Sequence, residues 1–174
     1  MGYSRFPLPR RIWPGSIIGV TRLTDILTPQ YIKAPLSATD KVGAIDELIN
    51  LLAGHPAVVD LPAIRRAVFE REEVRTTGIG NGLALPHGKT GGVTDLVMAV
   101  GKPAKPIAFA SIDRQPVSII VLLASPLDKA GPHIRALAWV SRLLTIESFR
   151  HALDEAQDAR QIMEIIEQHE RALS

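Results

Sequence analysis

The amino-acid sequence predicts a layered α/β domain, on three observations. Segments of helical apolar spacing alternate with extended ones along the chain. Two runs, 95–101 and 116–125, are apolar on both faces, as buried strands are. Helical pairs precede and follow those runs, so they are placed to cover a sheet. The 174 residues fit one domain of ordinary size, and 46% hydrophobic with 22% charged residues supplies matter for a real core.

Residues 1–22 contain Pro7, Pro9 and Pro14 with scattered apolar residues and no period, and read as a basic extension draped or loose beside a domain at 23–174. Pro14 and Gly15 interrupt its only apolar stretch, which makes it a poor signal peptide and gives a cytoplasmic expectation. Ser37-Ala38-Thr39-Asp40 supplies capping residues for a helix carrying Val42, Ile45, Leu48, Ile49 and Leu52 and ending at Gly54. A second helix follows Asp60, with Pro62 in its first turn and Ile64, Ala67 and Val68 on one face. Three residues further that face reaches Arg71, which either snorkels to solvent or is a placed anion-binding group. The glycines of Thr77-Gly78-Ile79-Gly80-Asn81-Gly82 come next, then a short run Leu83-Ala84-Leu85 closed by Pro86-His87-Gly88. After the two buried strands a helix runs from Gly131-Pro132 to about Leu144. It is apolar nearly all round (Ile134, Leu137, Ala138, Trp139, Val140, Leu143) and is expected to pack on two sides. Two shorter helices close the chain, around 149–153 and after the capping pair Asp158 and Gln161.

Composition removes several functions. No apolar run approaches the ~18 residues that cross a bilayer. The absence of cysteine excludes disulfides, thiol catalysis and zinc–thiolate sites. Arg5, Arg10, Arg11 and Arg22 are unopposed by acid, so 23–174 carries sixteen basic against eighteen acidic residues. The body is slightly acidic and shows no basic, aromatic-bearing face for nucleic acid.

Two nucleotide motifs nearly match and fail. Gly78-x-Gly80-x-Gly82 has the wrong spacing and follows a helix where a dinucleotide fingerprint follows a strand. Gly82…Gly88-Lys89-Thr90 has five residues between its glycines instead of four, and no helix follows. His55, His151 and His169 read as solvated, and a zinc site joining His87 and His133 lacks a third ligand. His87 stands apart. It is clamped by Pro86, which fixes the backbone, and by Gly88, which leaves the ring unshielded; it reads as an ordinary turn histidine or as a neutral imidazole nucleophile. His133 sits in the first turn of a helix, whose unpaired N–H groups disfavour imidazolium. It is a helix-start residue or a neutral hydrogen-bonding partner for a phosphate or a second imidazole.

The thirteen residues from Thr77 to Lys89 resemble the active-site segment of EIIA proteins, of the fructose/mannitol and nitrogen-regulatory class of the bacterial phosphoenolpyruvate–sugar phosphotransferase system. Leu23-Thr24-Asp25-Ile26-Leu27-Thr28-Pro29 resembles the opening of that family, so the likeness covers most of the chain. The resemblance implies a three-layer α/β/α sandwich with a mixed central sheet, a fold also found in cytoplasmic domains of anion transporters. It implies that His87 accepts phosphate from phospho-HPr, that Arg71 stabilises its charge, and that His133 is the second active-site histidine. Gly78, Gly80, Asn81 and Gly82 are then expected to offer backbone amides to the phosphate. No cofactor and no metal are called for, because donor and acceptor are both protein histidines. Two phosphocarrier readings follow: a nitrogen-regulatory EIIA signalling through partner proteins, favoured by Thr-Gly-Ile-Gly-Asn-Gly, and a sugar-specific EIIA donating to the EIIB of a permease. The alternative from another class is a non-catalytic interaction module of the same fold.

Overall fold

The computed structural model describes residues 22–173; the expected extension lies outside the described residues apart from Arg22. Among the described residues six strands form one mixed sheet: β1 (Ile32–Leu36), β2 (Gly78–Gly80), β3 (Leu83–Ala84), β4 (His87–Lys89), β5 (Val97–Pro103) and β6 (Ile119–Ser125). The order is β1-β5-β6-β3-β2, with β4 also pairing β6. The β1–β5, β3–β6 and β4–β6 pairs are parallel, and β2–β3 and β5–β6 are antiparallel. Five helices cover it: α1 (Lys41–Leu51), α2 (Leu61–Val74), α3 (Ala130–Leu144), α4 (Glu147–Glu155) and α5 (Ala159–Leu173).

The three layers follow from strand parity. Met98, Val100, Ile119 and Val121 meet Val140, Leu143, Phe149, Leu153 and Ile166 of the C-terminal helices around a small apolar void. On the opposite face Gly101 lies against Leu48 of α1. Every residue of β6 is buried, as expected of a strand covered on both sides. Its start is later than the sequence suggested: Val117 leaves the ladder to exchange backbone hydrogen bonds with Ile107. Likewise β5 begins at Val97 because Asp95 turns its carboxylate to the Leu96 N–H and to Lys129 Nζ.

The caps behave as read. Asp40 Oδ1 accepts from Gly43 N and Asp60 Oδ1 from Ala63 N, each at 2.9 Å and each worth about 1 kcal/mol. Three expectations need correction. Val42 is 53% exposed, and Ala44 takes its place on the inner face of α1. The helix α3 packs on one side only: His133, Ala136, Val140, Leu143 and Leu144 are buried while Ile134 is 63% exposed, because α3 belongs to an outer layer. And α5, with 15 residues, is as long as α3. Its carboxylate Glu170 is buried and accepts from Trp139 Nε1 at 2.7 Å and from Thr24 Oγ1 at 2.9 Å, tying the start of the domain to its last helices.

Candidate functional site

The site begins with a break in a strand. β3 and β4 both run parallel to β6, at Leu83↔Ile119 and His87↔Leu123, but Leu85 and Pro86 between them leave the ladder. Leu85 N donates instead to Thr77 O at 2.9 Å, and Pro86, which has no N–H to place, accepts from Leu123 N at 3.0 Å. His87 therefore re-enters the sheet at its C-terminal side, half-buried, with α2 behind it.

Gly88 brings that helix close. A Cβ on it would lie 3.0 Å from Ala67 C and 3.1 Å from Val68 N, so glycine here lets the α2 backbone pack on β4. The reason differs from the sequence expectation, which gave Gly88 the task of unshielding the imidazole. The close approach delivers the last turn of α2 to His87. Arg71 lines a cleft of about 210 Å³ with Arg75, Gly78, Ile79, His87 and Ile112, its guanidinium steadied by a 3.0 Å bond from Nη1 to Arg75 O. Arg71 thus lies at the cleft that holds His87.

The His87 ring has a definite chemical sense. Nδ1 lies 2.8 Å from Leu85 O; a carbonyl only accepts, so the neutral ring carries its proton on Nδ1 and its lone pair on Nε2. Among the described residues Nε2 has no hydrogen-bond partner. Burial holds the His87 pKa below its ordinary value. Arg71 lowers it further, while the Leu85 bond and Glu72 pull the other way. The ring is thus an uncharged nucleophile at neutral pH, with a cation in the same cleft.

His133 lies on another side. Its ring centroid is 5.7 Å from that of His87, and its Nδ1 is 2.6 Å from Ser125 Oγ. Pro132 fits inside the first turn of α3, where no N–H is needed. His133 is buried, and its pKa is depressed to about 4, first by that burial and then by His87 and Lys89. It is neutral under all ordinary conditions.

The glycine-rich segment divides between two places. Gly78 lines the His87 cleft. Gly80, Asn81 and Gly82 form the β2–β3 turn with φ of +95°, +54° and +75°, and the Asn81 N–H is already taken by Asp113 Oδ2 at 2.8 Å. Asn81 and Gly82 line a separate depression of about 890 Å³ with Lys102, Ser118 and Asp154. Lys102 caps the end of α4 through Leu153 O at 3.1 Å, Ala156 O at 2.8 Å and Asp154 O.

The other histidines are less solvated than expected, in two cases. His55 stacks on Tyr31 and His169 meets Phe149 edge-on, while His151 stays exposed. Sequence reading missed Glu72. Its carboxylate is 8% exposed, accepts from Thr77 N at 3.0 and 3.1 Å and from Thr77 Oγ1, and pairs with Lys41. The signal was present: Ile64 and Val68 extend by four to Glu72, and all three are buried on one face.

The chain as a whole is similar to known proteins. The chain is 33% identical over 150 residues to the PTS system fructose-specific EIIABC component of Bacillus subtilis, covering 86% of this chain but only about a quarter of that protein. It is 32% identical over 148 residues to a nitrogen regulatory protein of Bradyrhizobium diazoefficiens, covering 83% of this chain and 94% of that one. The crystal structure of the nitrogen regulatory protein IIA-Ntr from Neisseria meningitidis superimposes with a TM-score of 0.76 at 26% identity, over 83% of this chain and 98% of the other. Residues 25–169 match the family described as phosphoenolpyruvate-dependent sugar phosphotransferase system, EIIA 2, and the chain belongs to it.

Proposed function

We propose that the protein is a cytoplasmic phosphocarrier that takes a phosphoryl group from phospho-HPr onto Nε2 of His87. The observation that carries this reading is the fixed tautomer: Leu85 O holds the Nδ1 proton, so the lone pair is on Nε2 with Arg71 in the same cleft. Nε2 attacks phosphorus, the N–P bond of the donor phosphohistidine breaks, and its electron pair returns to the donor imidazole. No proton need move during the transfer, because Nδ1–H stays on Leu85 O. The product ring is substituted on both nitrogens, which keeps the new N–P bond labile for onward transfer. Arg71 offsets the charge of the phosphoryl oxygens. At about 210 Å³ the cleft is below the ~300–1,000 Å³ typical of small-molecule sites, in keeping with a phosphoryl group delivered by a protein.

Signalling through partner proteins is the preferred use of that phosphate. The match to a nitrogen regulatory protein runs along nearly all of that protein, which supports the regulatory reading. The fructose-specific relative, at similar identity, favours a second reading in which an EIIB is the acceptor. Intact mass after incubation with phosphoenolpyruvate, enzyme I and HPr tests the carrier step. One acid-labile phosphate, absent in His87→Ala, is expected; none on folded wild type overturns it and leaves the interaction module. Adding a fructose-type EIIB separates the two uses: retention of phosphate agrees with regulation, and rapid transfer with transport.

A further inference from the structure

Three hydrogen bonds join the buried carboxylate of α2 to the reactive ring. Glu72 accepts from Thr77 N; Thr77 O accepts from Leu85 N at 2.9 Å; Leu85 O faces His87 Nδ1 at 2.8 Å. Each step crosses one residue, whose N–H donates on one side and whose C=O accepts on the other, so the path runs through the backbone of Thr77 and then of Leu85. Hydrogen bonds shielded from water are the stronger for it. Thr77 is 3% and Leu85 5% exposed. Lys41, at the start of α1, pairs with Glu72 and lies 5.0 Å over the Phe109 ring, so the carboxylate is held from a second helix as well.

We propose that Glu72 is a positioning residue for phosphoryl transfer, fixing through the Thr77 and Leu85 peptides the tautomer and orientation in which His87 presents Nε2. The inference rests on the reading of His87 as the phosphoacceptor. Local geometry shows why a remote anchor is needed. Leu85 and Pro86 lie outside the paired residues of β3 and β4: the Leu85 N–H is held by Thr77 O and the Pro86 carbonyl by the Leu123 N–H, and the Leu85 carbonyl between them has no strand partner. Thr77 in turn lies in the connection after α2, and Glu72 supplies the partner for both its N–H and its hydroxyl. Burying an ion pair gives little net stability by itself, so a positioning role explains the pair better than stability does.

The test compares two buried carboxylates. In unphosphorylated protein at pH 7.5, ring ¹⁵N shifts report which His87 nitrogen carries the proton, without any donor protein. Wild type is expected to show Nδ1–H and a free Nε2. Glu72→Gln replaces one acceptor oxygen by an amide donor that faces the Thr77 N–H and Lys41 Nζ donors, and a mixture of tautomers is expected, with phosphorylation by phospho-HPr slowed about 10- to 100-fold, the range for lost supporting contacts. Glu170→Gln, in the buried carboxylate that holds Thr24 and Trp139, is expected to lower Tm and leave the His87 shifts unchanged. Should Glu72→Gln not fold, the double variant Lys41→Met with Glu72→Met replaces the ion pair by apolar volume, a change that usually preserves folding. It too is expected to lose the single tautomer. Wild-type shifts and rate in a folded Glu72 variant, or an equal disturbance in Glu170→Gln, would overturn the proposal. Failure of wild type to take up phosphate would instead strike the phosphocarrier reading, and the shifts would still decide on Glu72.

Discussion

Two depressions on the described surface differ in a way that size does not convey. One, of about 890 Å³, is lined by Asn81, Lys102, Asp113, Ser118 and Asp154; the other, of about 210 Å³, contains Arg71 and His87. In the larger, polar groups are turned on one another. Lys102 caps α4, Ser118 Oγ donates to Asp154 Oδ1 at 2.7 Å, and Asp113 accepts from Asn81 N and from Gln115 N at 3.0 Å. In the smaller, one ring nitrogen is committed to Leu85 and the other has no partner among the described residues. Saturated polar groups hold a fold together; a nucleophile has to be left unsaturated and uncharged at some cost in stability. The smaller cleft is the one that holds an uncommitted ring nitrogen.

Four changes break or sharpen that contrast. His87→Ala should abolish phosphate uptake while circular dichroism and Tm stay close to wild type, since the ring is half-exposed and makes one hydrogen bond. Arg71→Ala should lower the rate of phosphorylation about 10²-fold without abolishing it, as the loss of one charge-stabilising donor does; an unchanged rate would remove the arginine from the step. The third change is pH. The folded-state pKa values of His87 and His133 both lie below the ordinary 6.5. The transfer rate should accordingly decline at a lower pH than a free imidazole's titration would give, because His87 keeps its lone pair further into acid. For His133 the unfolded chain binds the proton first. Stability is therefore expected to fall as pH drops from about 6.5 to about 4, and His133→Asn should flatten that slope in chemical denaturation. The smallest effect on chemistry belongs to the larger depression. Lys102→Met should cost about 1–3 kcal/mol, from lost bonds to a charged group, and leave the phosphorylation rate unchanged. A slowed rate would show that the two depressions are coupled.

Local signals carried much of the way. Asp40 and Asp60 announced α1 and α2, the apolar runs announced β5 and β6, and Pro86-His87-Gly88 marked the ring that the cleft holds. The reading of α3 as two-sided failed because hydrophobicity along a helix says how much of it is apolar, not how many neighbours the fold supplies; Ile134 simply remains exposed. Glu72 escaped notice because an acid continuing an apolar face looks like the helix reaching solvent. Only the packing of α1 on α2 brings Lys41 to it, 31 positions earlier in the chain. The glycine segment was read as one phosphate loop, whereas Gly78 lines the His87 cleft and Asn81 and Gly82, beyond a left-handed turn, line the other depression.

The sequence by itself determined the class of fold, the helix starts, the absence of thiol chemistry, and a histidine, an arginine and a second histidine worth watching. Those are properties of composition and short-range spacing, which one segment of chain expresses alone. Tertiary structure decided the direction of each group. It put Arg71 in the cleft and His133 beside it against Ser125, chose the proton-bearing nitrogen of His87 through Leu85, and connected that nitrogen to Glu72. A hydrogen bond or an ion pair is a matter of tenths of an ångström between residues far apart in sequence, and it exists only once the sheet and both helix layers have closed around it.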